Sequence, residues 1–161
     1  MLHINNKNIL RIILLFSILA LLAALFIQYI LGHQPCNLCL IQRIPYIFSI
    51  IIISLSFIFN KYEKVYFFLL SLIFILAALI SFYHFGIEQG FVKESLVCDV
   101  KNILQNPTAE SLLKELKEKT ISCQDVTFEV LGLSLATINT IICLILSATT
   151  FKIFLNYEKN K

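Results

Sequence analysis

Polar residues are concentrated in a few stretches of this chain, and between them lie four predominantly apolar windows, at 12–31, 40–59, 65–85 and 130–151. The hydrocarbon core of a membrane is roughly 30 Å thick and takes about 20 residues of helix at about 1.5 Å each, which is the length of these windows. No water reaches that layer, so each backbone amide must be bonded within its own segment, and helix is the predicted state of all four. The expected fold is all-α, a four-transmembrane-helix bundle forming one integral membrane domain over residues 1–161. Small residues four apart, Ala20 and Ala24, Ala77 and Ser81, Ala136 and Thr140, would let the helices approach closely. The first window follows Lys7 and Arg11 as a secretory leader would, but it is too long for one and no small-residue cleavage site follows, so it is expected to remain as a helix.

Composition supports the same class. Of 161 residues, 58% are hydrophobic and 14% charged, and the mean hydropathy is +0.85, far above that of a water-soluble domain. The net charge of +3 is small and its lysines are dispersed, so it bears on orientation in a lipid bilayer and indicates no nucleic-acid partner. An even number of spans puts both termini and the loop at 60–64 on one side, with Lys7, Arg11, Lys61, Lys64, Lys152, Lys159 and Lys161. The loops at 32–39 and 86–127 share the other side, with Arg43, Lys93, Lys101, Lys114, Lys117 and Lys119 spread over more residues. The denser positive charge assigns the termini to the cytoplasm, and in a bacterium the two loops then face the periplasm from the inner membrane. Within the second loop, Thr108 can cap a short amphipathic helix over 109–119, with Glu110 in its first turn, Lys117 and Lys119 in its last, and Leu112, Leu113 and Leu116 on one face. Such a helix lies on the membrane interface or packs on the rest of its loop.

Four of five cysteines fall in the polar segments on that second side. Residues 34–43 read QPCNLCLIQR, so Cys36 and Cys39 stand three positions apart at the lip of the bilayer. Such a pair can close a small disulfide and often carries a thiolate fit for exchange, but it can equally be a structural bond or half of a zinc site. Cys98 and Cys123 are a second pair in the long loop, and a purely structural bond between them would contribute about 3 kcal/mol. Two pairs on one side permit a relay in which a thiolate of one attacks the disulfide of the other. Electrons passed that way must end in an acceptor, and the pair beside the membrane can meet one dissolved in lipid. Arg43, one helical turn after Cys39, either snorkels to the interface or favours the Cys39 thiolate and holds a reduced carbonyl oxygen of a quinone. Cys143, within the fourth window and without a spaced partner, is expected to be a small buried hydrophobe. Gly86 and Gly90 are expected to permit a turn, and Glu88 between them is either an interfacial cap or a loop anchor.

The arrangement of Pro35, Cys36, Cys39 and Arg43, with Gln28 ahead of them, "FYHFGIEQG" at 82–90 and "CQDVTFEVLGLSLATIN" at 123–139, resembles the DsbB family of bacterial inner-membrane disulfide-bond formation proteins over nearly the whole chain. The resemblance implies an enzyme that reoxidises a periplasmic DsbA-like dithiol oxidase of thioredoxin fold and passes the electrons to ubiquinone or menaquinone. It further implies that Cys98 forms the mixed disulfide with that partner, Cys123 attacks Cys36, and Cys39 is left as a thiolate against the quinone. Arg43 would support the quinone, with His84 and Gln28 near the same ring, although His84 could also be an interfacial histidine without a ligand. The direction suits the energetics, because such a soluble oxidant lies near about −120 mV and only a more oxidising couple, such as a respiratory quinone, can regenerate it. Other readings remain: a four-cysteine zinc site, which the wide spacing of the second pair fits poorly, so that no metal is expected; a tetraspan scaffold with two passive disulfides; and a related four-helix oxidase of the vitamin K epoxide reductase type or with a dedicated partner.

Overall fold

The computed structural model describes residues 6–59, 62–93, 98, 122–124, 129, 130 and 132–157. In chain order these form α1 (Asn6–Tyr29), α2 (Asn37–Ile41), α3 (Ile44–Ile58), α4 (Glu63–Glu88), the strands β1 (Glu129–Val130) and β2 (Leu133–Ser134), and α5 (Leu135–Asn156). Four segments are long and apolar enough to cross a membrane: α1, the combined Asn37–Ile58, α4 and α5. The chain is thus an all-α tetraspan membrane protein. The expected amphipathic helix at 109–119 lies outside the described residues.

The second span begins earlier than its hydropathy suggests because Cys36 caps it. Its Sγ accepts a hydrogen bond from the Cys39 backbone N–H at 3.2 Å, satisfying one of the amides that a helix start leaves open. One turn later the span breaks between α2 and α3. Pro45 sits in the first turn of α3, has no N–H to donate, and its ring would collide with the carbonyl four residues back, so the helix stops at Ile41 and restarts at Ile44. Gln42 and Arg43 occupy the break.

The last span starts later than expected. The residues before it form a small antiparallel hairpin pairing Glu129 with Ser134 and Val130 with Leu133, and Gly132 in its turn takes a φ of +77°, open to glycine at little cost. Ser134 then caps α5 through its Oγ, which accepts the Thr137 N–H at 3.2 Å. Of the two glycines expected in a turn, Gly90 takes that role with a φ of +73° just past α4, while Gly86 lies inside the helix and leaves space for Val92 to fold back over it.

The core joins Leu10 and Ile13 of α1, Ile53 of α3, Phe67, Leu70 and Phe74 of α4 and Cys143 of α5. Small hydroxyl residues stitch the helices together. Ser17 of α1 meets Ser49 of α3 at 2.9 Å, and Ser71 and Ser147 each donate to the other's backbone carbonyl, at 3.5 and 3.3 Å, between α4 and α5. Ala77, Ser81 and Ala136 are fully buried where α4 and α5 touch, as their spacing suggests. Ala20 and Ala24 of α1 behave differently: they are only half-buried and face a cavity.

Candidate functional site

That cavity has a volume of about 460 Å³. Its apolar side is built from α1, with Ala20, Ala23, Ala24 and Ile27, and from Leu135 and Ile142 of α5. Its polar end is formed by Cys36, Cys39, Gln42, Arg43 and Tyr46 of the second span, His84 and Glu88 of α4, and Asn139 of α5. A concave, mostly apolar space with a few convergent polar groups is the ordinary form of a small-molecule site.

Cys36 is the best-supported sulfur in it. Besides the Cys39 N–H, its Sγ lies 3.5 Å from Nε2 of His84. A hydrogen bond from the Cys39 side chain, aided by His84 and opposed by burial, brings the Cys36 thiol from its ordinary value down to about 5, so at neutral pH this sulfur is a thiolate. Cys39 is half-buried and lines the same cavity.

His84 is buried, so the interfacial reading without partners does not hold for it. Its Nδ1 lies 2.9 Å from Nε2 of Gln42, and its Nε2 lies 3.6 Å from Oε1 of Glu88, one turn on along α4. Glu88 thus stands beside His84 as the last residue of α4, and its Oε2 is buried without a hydrogen-bond partner among the described residues. Arg43 donates from Nη1 to Oε1 of Gln28 at 2.7 Å, which joins the break in the second span to α1. The donors at Cys36 are therefore His84 and the side chain and amide of Cys39, whereas the bonded partner of Arg43 is Gln28.

Cys98 and Cys123 are joined as a disulfide, while Cys36 and Cys39 are free thiols. The two pairs share one buried cluster, in which Cys36, Leu38 and Ile87 pack with Cys98 and Cys123. The His84 ring also faces the Cys123 backbone. With the loop cysteines bonded to each other, the four-cysteine zinc arrangement is not formed. The ligand atoms of Cys36, Cys39 and His84 do lie within 4.8 Å of one another, a set that could hold a soft cation.

Sequence reasoning missed the residues that connect this site to the bundle. Asn139 of α5 donates from Nδ2 to Oε1 of Gln42 at 3.3 Å and to Oγ of Ser81 at 3.1 Å, and its Oδ1 accepts from the Tyr46 hydroxyl at 2.5 Å. Cys143 is buried as expected, but its sulfur lies at the end of this polar chain, 3.6 Å from the Tyr46 hydroxyl. The available signal was polar residues inside apolar windows, which are costly there and seldom without purpose.

Comparison with known proteins agrees with the architecture. A family model described as "Disulfide bond formation protein DsbB" matches residues 6–153. An uncharacterized protein of Rickettsia prowazekii (strain Madrid E) is 28% identical over 149 residues, covering 88% of this chain and 86% of its own. No solved structure matches the chain. By the extent of the family match, this multi-pass membrane chain belongs to the DsbB family of disulfide bond formation proteins, with the disulfide oxidoreductase activity that membership carries.

Proposed function

We propose that the chain is a quinone-coupled protein thiol oxidase that regenerates a soluble, DsbA-like dithiol oxidant of thioredoxin fold. The observation that carries this reading is the shared burial of both cysteine pairs beside a cavity whose far walls are apolar. In this reading the whole chain is one membrane domain of the bacterial inner membrane, with cytoplasmic termini and periplasmic cysteine loops.

A thiolate of the reduced partner attacks Cys98, forming a mixed disulfide and releasing Cys123 as a thiolate. Cys123 attacks Cys36 of the closed Cys36–Cys39 bond, which makes a Cys36–Cys123 bond and frees Cys39. The partner's second thiol then attacks its own mixed-disulfide sulfur, leaves oxidised, and frees Cys98. Cys98 attacks Cys123, the loop disulfide closes again, and Cys36 is released as a thiolate. Two electrons now sit on the 36/39 pair, the redox distribution seen in the structure.

The assignments of charge to Cys36 and to Cys39 belong to different stages. While Cys36 is free, donors from Cys39 and His84 concentrate the charge on it. When Cys36 is bonded to Cys123, the charge can only be carried by Cys39. A quinone, ubiquinone or menaquinone, fits the donor chemistry of the cavity: apolar walls suit its tail and ring, and Arg43, with Gln28 behind it, would hold an oxygen, with His84 near the same ring. When bound, it supplies a two-electron, two-proton acceptor, so that the net reaction converts partner dithiol and quinone into partner disulfide and quinol.

The test is quinone reduction by a reduced thioredoxin-fold oxidant, catalysed by the purified chain in lipid nanodiscs. Cys39→Ser is expected to lower turnover by at least about 10³-fold, as loss of a covalent nucleophile does. Undiminished turnover in that variant would remove the assigned role.

A further inference from the structure

The polar chain behind Cys36 has a direction, and the direction can be read without ambiguity from one end. A backbone carbonyl only accepts, so the 2.9 Å contact between Ser81 Oγ and the Ala136 carbonyl fixes the serine as donor. Ser81 then has only lone pairs left for Asn139, 3.1 Å away, which turns the NH₂ of that amide toward it. The second hydrogen of the same NH₂ goes to Oε1 of Gln42 at 3.3 Å, and the Asn139 oxygen is left to accept from the Tyr46 hydroxyl. With its oxygen so engaged, Gln42 presents its own NH₂ to Nδ1 of His84 at 2.9 Å. A ring nitrogen that receives an N–H must offer a lone pair, so the ring hydrogen of His84 resides on Nε2, facing Cys36 Sγ at 3.5 Å.

We propose that Gln42 and Asn139 are positioning residues that hold His84 in its Nε2–H tautomer and so aim that hydrogen at the Cys36 sulfur. This assignment rests on reading Cys36 and Cys39 as the thiols that exchange electrons. Amide and ring orientations are otherwise interchangeable by shape, and here the Ala136 carbonyl decides all of them in turn. The opposite tautomer would set Nδ1–H against the Gln42 NH₂ and a bare Nε2 lone pair against a thiolate. It would also turn that lone pair toward the Glu88 carboxylate at 3.6 Å. The titratable groups near the ring are Cys36, Cys39 and Glu88, and a hydrogen on Nε2 suits the two that Nε2 faces, Cys36 and Glu88. The chain runs from Ser81 of α4 to Asn139 of α5, on to Gln42 in the helix break and back to His84 of α4, so Gln42 and Asn139 act on Cys36 through His84.

The experiment uses the full-length chain in detergent, with Cys98 and Cys123 changed to Ala and the 36/39 pair reduced, labelled with ¹⁵N-histidine. His84→Gln identifies the resonances of His84 among the three histidines. The expected spectrum at neutral pH shows Nε2 protonated and Nδ1 bare, and a ring protonated on Nδ1 overturns the proposal. In Gln42→Leu the single tautomer is expected to give way to a mixture. For a one-unit rise of a midpoint near 5, the rate of Cys36 alkylation should then fall about twofold at pH 6 and about fivefold at pH 5. Ser81→Ala, which removes only the root of the chain, should show the same change to a smaller extent. A parent-like tautomer or an unchanged alkylation rate in Gln42→Leu overturns the proposal. Neither readout involves quinone or a protein partner, so loss of turnover in the nanodisc assay and failure here are distinguishable.

Discussion

Two regions of the bundle use buried polar groups in opposite ways. At the α4–α5 contact, Ser71 and Ser147 bond reciprocally, each hydroxyl to the other's backbone carbonyl, and nothing is passed on. At the cysteine end, Asn139 donates side chain to side chain both to Ser81 and to Gln42, and from Gln42 the bonds continue through His84 to Cys36. The first pattern is adhesion between helices, closed on itself. The second is open at a reactive sulfur, and each member restricts the next. Polar groups in a membrane interior are costly in both places, but only the second leaves a residue whose chemistry depends on its neighbours.

The sharpest way to break the contrast is to remove the donors at Cys36 and titrate its alkylation. The thiol lies at about 5, well below its ordinary value, so its reactivity should be nearly flat from pH 6 to 8 and should fall as pH drops through about 5. Cys39→Ala removes the leading donor and should move the midpoint up by more than His84→Ala does, with at least about one unit, or about fivefold in thiolate at pH 5, in each case. A midpoint unchanged by both variants would mean that the geometry around the sulfur does not govern its charge.

A smaller effect is expected at the other wall of the cavity. Arg43 and Gln28 form one charge-assisted bond, and Gln28 acts through Arg43. Removing the cation with Arg43→Met should raise the KM for quinone about tenfold or more, in keeping with about 1.5–3 kcal/mol for a bond to a charged group. Gln28→Ala should raise it only a few-fold. Steady-state kinetics at varied quinone separate the two, and a larger effect at Gln28 would contradict the order. Smallest of all, Ser71→Ala and Ser147→Ala should each cost about 0.6 kcal/mol of stability, measured by denaturant titration in micelles, and leave the Cys36 titration where it was.

The comparison also shows where sequence reading stops. Four spans follow from the lengths of four apolar windows, because a bilayer of fixed thickness demands them. The break at Gln42 and Arg43 was legible in principle from Pro45, but an apolar run with one proline reads as continuous when only hydropathy is followed. The hairpin before α5 was hidden for the same reason, since a short apolar pair of strands and a helix start look alike by composition, and only Gly132 marked the turn. Of the candidate site, the cysteines and Arg43 were visible as separate signals, each by its own chemistry, and His84 and Gln28 only through the family resemblance. Their grouping was not, since His84 meets Cys36 across 48 positions and Asn139 meets Gln42 across 97. Spacing reports neighbours on one helix, and this chain of contacts is made between helices.

The most direct test of the account is whether the two cysteine pairs exchange with each other. In a Cys39→Ser, Cys98→Ser double variant, Cys36 and Cys123 are the remaining loop thiols, and the bond expected after mild oxidation in the membrane is Cys36–Cys123, identified by mass spectrometry of the non-reduced peptides. Free thiols at both positions, in a variant that retains its fold, would contradict the handover on which the proposed reaction depends.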